Sequence, residues 1–212
     1  MSREGPLRKN WFYYTAQGTV GMFLRLWERF ESHGAHHVPA TGGCIIAANH
    51  VSFLDPPAVA CSQNHRVVRF LARDTLLSTR LGRWFMTGVQ CVPIDRTRGD
   101  VGAMRKALQV LKDGQVLGLF PEGTRSPDGQ LKEAKGGIGF LISKAHVPVV
   151  PAYVDGSFAA FPKGAQRVRR GKVRVFIGKP IMPDEIDALG EGREGYEKVG
   201  QLVMSRIAAL KP

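Results

Sequence analysis

The chain has 212 residues, 43% of them hydrophobic and 25 of them glycine, enough for one well-buried core and ordinary for a globular α/β protein. Its formal charge of +12 points to an anionic partner, whether a membrane surface, a phosphorylated substrate or nucleic acid. Three cysteines, odd in number and without metal-like spacing, argue against a disulfide framework, and no run of about 18 uncharged apolar residues offers a membrane-spanning helix.

Met1-Ser2-Arg3-Glu4-Gly5-Pro6 leads to Lys9 instead of an apolar stretch, so no cleavable signal peptide is expected. Residues 1–37 are expected to form a helical segment at a membrane interface, with the main folded domain in 38–212. Trp11, Phe12, Tyr13, Tyr14, Met22, Phe23, Leu26, Trp27 and Phe30 crowd this segment, with Arg25 and Arg29 among them. Aromatic residues flanked by cations suit a helix lying among lipid headgroups. A helix packed on the chain's own core would carry a similar pattern. Gly18 and Gly21 would bend or split either helix. His33, His36 and His37 offer no stable helical i, i+4 pair with a carboxylate partner, and no metal is expected.

From Pro39 onward, short apolar runs alternate with helical stretches. The pattern predicts strands at 44–48, 67–72, 89–94, 116–120, 147–154 and 172–177. It predicts helices at 57–62, 74–87, 100–112, 134–146 and 183–210. This alternation implies a single α/β domain whose central sheet, mostly parallel or mixed, is flanked by helices. In such sheets ligands bind beyond the carboxyl ends of the strands. A basic stretch, Lys163, Arg167, Arg169, Arg170, Lys172, Arg174 and Lys179, falls late in the chain.

Two constellations follow predicted strand ends. The first is Asn49-His50-Val51-Ser52-Phe53-Leu54-Asp55-Pro56-Pro57. Pro56 holds Asp55 extended and favours a helix start, so Asp55 is predicted at an N-cap with His50 in the strand-to-helix turn. That turn can bring an imidazole and a carboxylate together, a pair suited to removing a proton from a hydroxyl. A helix cap and a plain loop histidine would account for the same residues. The second is Phe120-Pro121-Glu122-Gly123-Thr124-Arg125-Ser126. Gly123 allows a tight turn and Arg125 offers a planar fork for phosphate. A surface turn closed by a Glu–Arg pair is the plainer alternative.

Four blocks stand in order: Asn49-His50 through Asp55, Gly88 through Ile94-Asp95-Arg96, Phe120 through Ser126, and Val147-Pro148-Val149-Val150-Pro151. In this the chain resembles the 1-acyl-glycerol-3-phosphate acyltransferase family of the wider glycerolipid acyltransferase group, over roughly the middle half of its length. The second block carries Val92-Pro93 where the family usually has an aromatic residue, and Arg73 stands where it often has Lys. The resemblance implies transfer of an acyl chain from a thioester to the free hydroxyl of a lysophospholipid, giving phosphatidic acid when the acceptor is 1-acyl-glycerol-3-phosphate. His50 would be the general base and Asp55 would orient it. Arg96 and Arg125 would grip the acceptor's phosphate, with Glu122, Gly123 and Thr124 completing that site. The donor would be acyl-CoA or acyl-acyl carrier protein, with no cofactor. The expected location is the cytoplasmic face of the cell membrane, held peripherally or monotopically on anionic lipids.

Other lysolipids, such as a lyso-ornithine lipid, would satisfy the same base. A thioester hydrolase and an inactive membrane-binding scaffold are further alternatives. A nucleic-acid module would use the charge, but no basic helix with base-reading spacing accompanies it, and His50 and Asp55 would then have no role.

Overall fold

A computed structural model describes residues 10–73, 79–94 and 99–212. Helix α1 (Trp11–Trp27) begins at Asn10, whose side chain accepts the Tyr13 N–H at 2.7 Å. It runs unbroken through Gly18 and Gly21. Its buried stripe, Tyr13, Gly21 and Leu24, recurs at helical spacing and lies on helix α2 (Asp55–Cys61) and its surroundings. Gln17 fastens the contact by donating to the Ala60 and Gln63 carbonyls at 2.8 and 3.1 Å. Strand β1 (Glu31–His33) follows.

The remaining strands are β2 (Cys44–Ala48), β3 (Val68–Arg73), β4 (Val92–Ile94), β5 (Val116–Leu119), β6 (Val149–Asp155) and β7 (Arg174–Ile177). They form a sheet of order β1-β7-β6-β2-β5-β3-β4, parallel throughout except between β6 and β7. The sheet is therefore mixed, as the alternation of elements implied. Every residue of β2 and β5 is buried, because these central strands are covered on both faces. Along β2 the side chains alternate between two cores. Cys44, Ile46 and Ala48 meet Leu24, Ala58 and Val59, while Ile45 and Ala47 meet the residues of the other helical layer.

That second layer is built from α4 (Gly99–Lys112), α5 (Ile138–Ala145) and α8 (Gly192–Ala208), which contribute Val110, Leu111, Ile142, Val203 and Ile207. Helix α3 (Arg80–Gly88) packs beside α1 through Phe12, which makes edge contacts with Trp84 and Phe85 at 4.8 and 6.0 Å.

Several elements depart from the sequence prediction. β1 is short and polar, yet it pairs with β7 in the sheet, inside the segment assigned to the interface helix. The predicted helix 183–210 is two helices, α7 (Pro183–Asp187) and α8, because Gly190 and Gly192 take φ of +89° and +79°. The helix predicted over 134–146 starts only at Ile138, after Gly137. Of the helix predicted over 74–87, residues 74–78 lie outside the described residues. An unpredicted single turn, α6 (Ser157–Ala160), caps the end of β6.

Candidate active site

The site grows from the carboxyl end of β2. Asn49, buried, exchanges two hydrogen bonds with the Val154 backbone on neighbouring β6: its amide donates at 3.0 Å and its carbonyl oxygen accepts at 2.7 Å. This lock fixes where the chain leaves the sheet, and His50 is the next residue. The turn then closes into α2. Leu54, not Asp55, is the N-cap, one residue earlier than predicted. The reason lies in the two prolines. Pro56 and Pro57 have no N–H to be capped, and the first helical donor, Ala58 N–H, reaches the Leu54 carbonyl at 2.9 Å.

Asp55 is therefore free to turn back on its own loop. Its Oδ2 accepts from the Val51 and Ser52 amides, each at 2.7 Å, and from His50 Nδ1 at 2.9 Å. Its Oδ1 accepts the Ser157 hydroxyl of α6 at 2.6 Å, and both side chains are fully buried. With Nδ1–H donating to the carboxylate, Nε2 carries the lone pair. The ring lies on Phe120 with centroids 4.1 Å apart and planes 19° apart. Phe120 in turn stacks on Phe70 at 5.8 Å. The imidazole keeps 17% of its surface open, enough for an acceptor to reach it.

Glu122, on the loop after β5, is buried and turned toward the His50 turn. Its Oε1 accepts the His50 backbone N–H at 3.0 Å, while Oε2 is buried without a hydrogen-bond partner. Burial pushes its pKa up; the His50 amide, Lys132 and His50 itself partly offset this. One residue beyond Arg125, the Ser126 N–H reaches the His50 carbonyl at 2.7 Å. The peptide units on both sides of His50 are thus held by the second constellation.

Gly123 adopts φ of +70° with the Lys135 side chain packed against it; a Cβ there would come within 2.9 Å of Lys135 Cδ. Thr124 is exposed and its hydroxyl accepts from Lys132 Nζ at 3.1 Å. The Arg125 guanidinium lies 3.4 Å above the Phe53 ring, which brings the two constellations together. Arg96 lies outside the described residues.

Ser157 and Lys132 are contacts outside the motifs quoted from the sequence, and Asn49, which heads the first block, had no role assigned there. Two potential nucleophiles are poorly placed. Ser52 is buried and its hydroxyl donates to the Phe161 carbonyl at 2.7 Å, and burial pushes the Cys91 thiol up. Among the described residues, no three His, Cys, Asp or Glu side chains gather as a metal set.

Residues 29–155 match the model of the Acyltransferase family. The chain belongs to the Acyltransferase family. This family member is 28% identical, over 187 residues, to a chloroplastic 1-acyl-sn-glycerol-3-phosphate acyltransferase of Brassica napus; the match covers 86% of this chain and 54% of the relative. The 1-acyl-sn-glycerol-3-phosphate acyltransferase of Bacillus subtilis is 25% identical over 80% of this chain and 82% of its own length. The chain spans about half the length of the plant relatives it matches, 54% and 52%. In fold it is similar to the 1-acyl-sn-glycerophosphate acyltransferase of Thermotoga maritima, with a TM-score of 0.76 and 27% identity over 93% of this chain and 80% of that one.

Proposed function

We propose that the chain transfers a fatty acyl group from a thioester, acyl-CoA or acyl-acyl carrier protein, to the free hydroxyl of 1-acyl-glycerol-3-phosphate, giving phosphatidic acid. The observation that carries this reading is the buried, four-donor Asp55 holding the Nδ1 of a partly exposed His50 just past the end of a central strand. The relatives' names supply the acceptor and the reaction class.

His50 Nε2 takes the acceptor's hydroxyl proton as the oxygen attacks the thioester carbonyl. Asp55 stabilises the imidazolium that forms. Collapse of the tetrahedral intermediate breaks the C–S bond, and the departing thiolate takes the proton back from the imidazolium. No enzyme nucleophile intervenes. Glu122 holds the His50 amide through Oε1 and so fixes the backbone that carries the base. Arg125 and Arg96 supply cations for the phosphate. The open stripe of α1, with Trp11, Tyr14, Met22 and Leu26 exposed, supports a membrane-surface enzyme meeting an acceptor that resides in lipid. Among the described residues, no helix is long and apolar enough to cross a membrane.

The test is thiol release from acyl-CoA and from acyl-acyl carrier protein against a panel of lysolipids. Release should require lysophosphatidate, and His50→Ala should lower kcat by about 10²–10⁴-fold. Acceptor-independent release would mark a hydrolase, and near wild-type activity in His50→Ala would remove the base assignment.

A further inference from the structure

The exposed large apolar side chains are not spread evenly. Trp11, Tyr14, Met22, Phe23, Leu26 and Trp27 lie on α1, and Leu81, Trp84 and Phe85 lie on α3. The two helices meet at Phe12, whose ring sits so close to Gly88 that a Cβ there would come within 2.3 Å of it. Beside that contact the helices enclose an open cleft of about 720 Å³, lined by Trp11, Phe12, Arg80, Arg83, Trp84 and Thr87 among others. Arg80 and Arg83 stand one turn apart on α3 and both line the cleft. Arginine pairs suit phosphate, and indole rings suit the level of lipid headgroups.

We infer that the α1–α3 cleft is a binding site for the headgroup of an anionic phospholipid in the bilayer, distinct from the acceptor site at His50. The inference rests on the membrane-surface reading above and adds a second foothold to it. The exposed indoles favour lipid over an acidic carrier protein, which would have no use for Trp11 at 75% and Trp84 at 60% exposure. The location also carries meaning. The far end of α1 meets the basic stretch, where Val173 N–H donates to the Glu28 carbonyl at 2.8 Å and Lys172 pairs with Glu31 at 2.7 Å. Exposed Arg169 and Arg170 stand beside that contact and Arg80 and Arg83 at the other end of a helix about 25 Å long, which would lay α1 flat along the surface.

The experiment uses the full chain and vesicles of phosphatidylcholine with or without phosphatidylglycerol. Arg80→Gln/Arg83→Gln should bind the anionic vesicles about tenfold to thirtyfold more weakly, the loss of two charges at the surface, with binding to neutral vesicles and the melting temperature unchanged. In Trp11→Phe/Trp27→Phe, which leaves Trp84 as the sole indole, brominated phosphatidylglycerol should quench the fluorescence and soluble glycerol phosphate should not restore it. Unaltered vesicle binding by the arginine variant, alongside release by Leu26→Asp, would overturn the cleft and leave the α1 reading standing. Failure of wild type to bind any vesicle would overturn both. Competition by glycerol phosphate, or a loss confined to turnover with acyl-acyl carrier protein, would also overturn the assignment to lipid.

Discussion

Four donors meet on Asp55, and three of them, the Val51 and Ser52 amides and the Ser157 hydroxyl, belong to the frame around the base. Asp55→Asn would offer an N–H where these donors and His50 Nδ1 need an acceptor, favouring the wrong tautomer, and kcat should fall by about 10⁴-fold with the fold retained. Ser157→Ala removes one hydrogen bond to a charged group, worth about 1.5–3 kcal/mol, so its kcat should lie between wild type and Asp55→Asn, about tenfold or more below wild type. Steady-state kinetics should show that loss in kcat, with KM for the acceptor unchanged. An effect on KM alone would contradict the assignment. Glu122 yields a prediction of a different kind. Burial raises its folded-state pKa, so its stability contribution is fully present below the unfolded value and is lost as pH rises through the folded one. Glu122→Gln keeps a carbonyl oxygen for the His50 amide and cannot ionise. Its melting temperature should match wild type in acid, exceed it increasingly as pH rises from the unfolded to the folded pKa, and keep that margin above it, while activity falls.

At the scale of elements, the stack under His50 depends on a glycine in the neighbouring strand. A Cβ on Gly118 of β5 would come within 2.2 Å of the Phe70 ring, and Phe70 supports Phe120, which supports His50. Gly118→Ala should cost about 1–3 kcal/mol in denaturant unfolding and lower kcat as well, and adding Phe70→Leu should restore part of both. Little of this dependence is legible in sequence, where Gly118 is one residue of an apolar run. The strands read correctly were those with long buried runs, such as Cys44–Ala48. β1, Glu-Ser-His, was missed because a polar three-residue edge strand has no apolar period to detect, and its pairing with β7 is a tertiary fact. His50 and Asp55 were legible because Pro56-Pro57 fixes the turn locally. Ser157 was not, since its partner lies 102 residues earlier in the chain.

For the whole molecule, the sheet order places β2 between β5 and β6, so the loops after three adjacent strands meet at one rim. Asn49 leaves β2, Glu122 follows β5 and Ser157 follows β6. α1 lies across the outside of this frame, with its buried stripe on α2 and an opposite stripe open. Met22→Asp/Leu26→Asp alters only the open stripe, so it should leave the melting temperature within a few degrees of wild type. It should release the protein from vesicles and lower turnover on long-chain acceptors more than on water-soluble short-chain ones. Retention on vesicles by this double variant would remove α1 from the interface. Deleting the whole N-terminal segment through Ser32 would be a poorer probe, because it would also cut into β1.

The peptide groups on either side of His50 are both occupied, its N–H by Glu122 and its C=O by Ser126 N–H. In effect a side chain and a loop amide continue the pairing of the sheet two residues past the end of β2 and carry His50 with it. Orienting the imidazole is then an entropy loss met when the chain folds and not again at each turnover. Glu122→Ala should return that loss to the chemical step. Its Eyring plot should show a more negative activation entropy than wild type, a signature that loss of a substrate contact alone would leave mainly in the enthalpy.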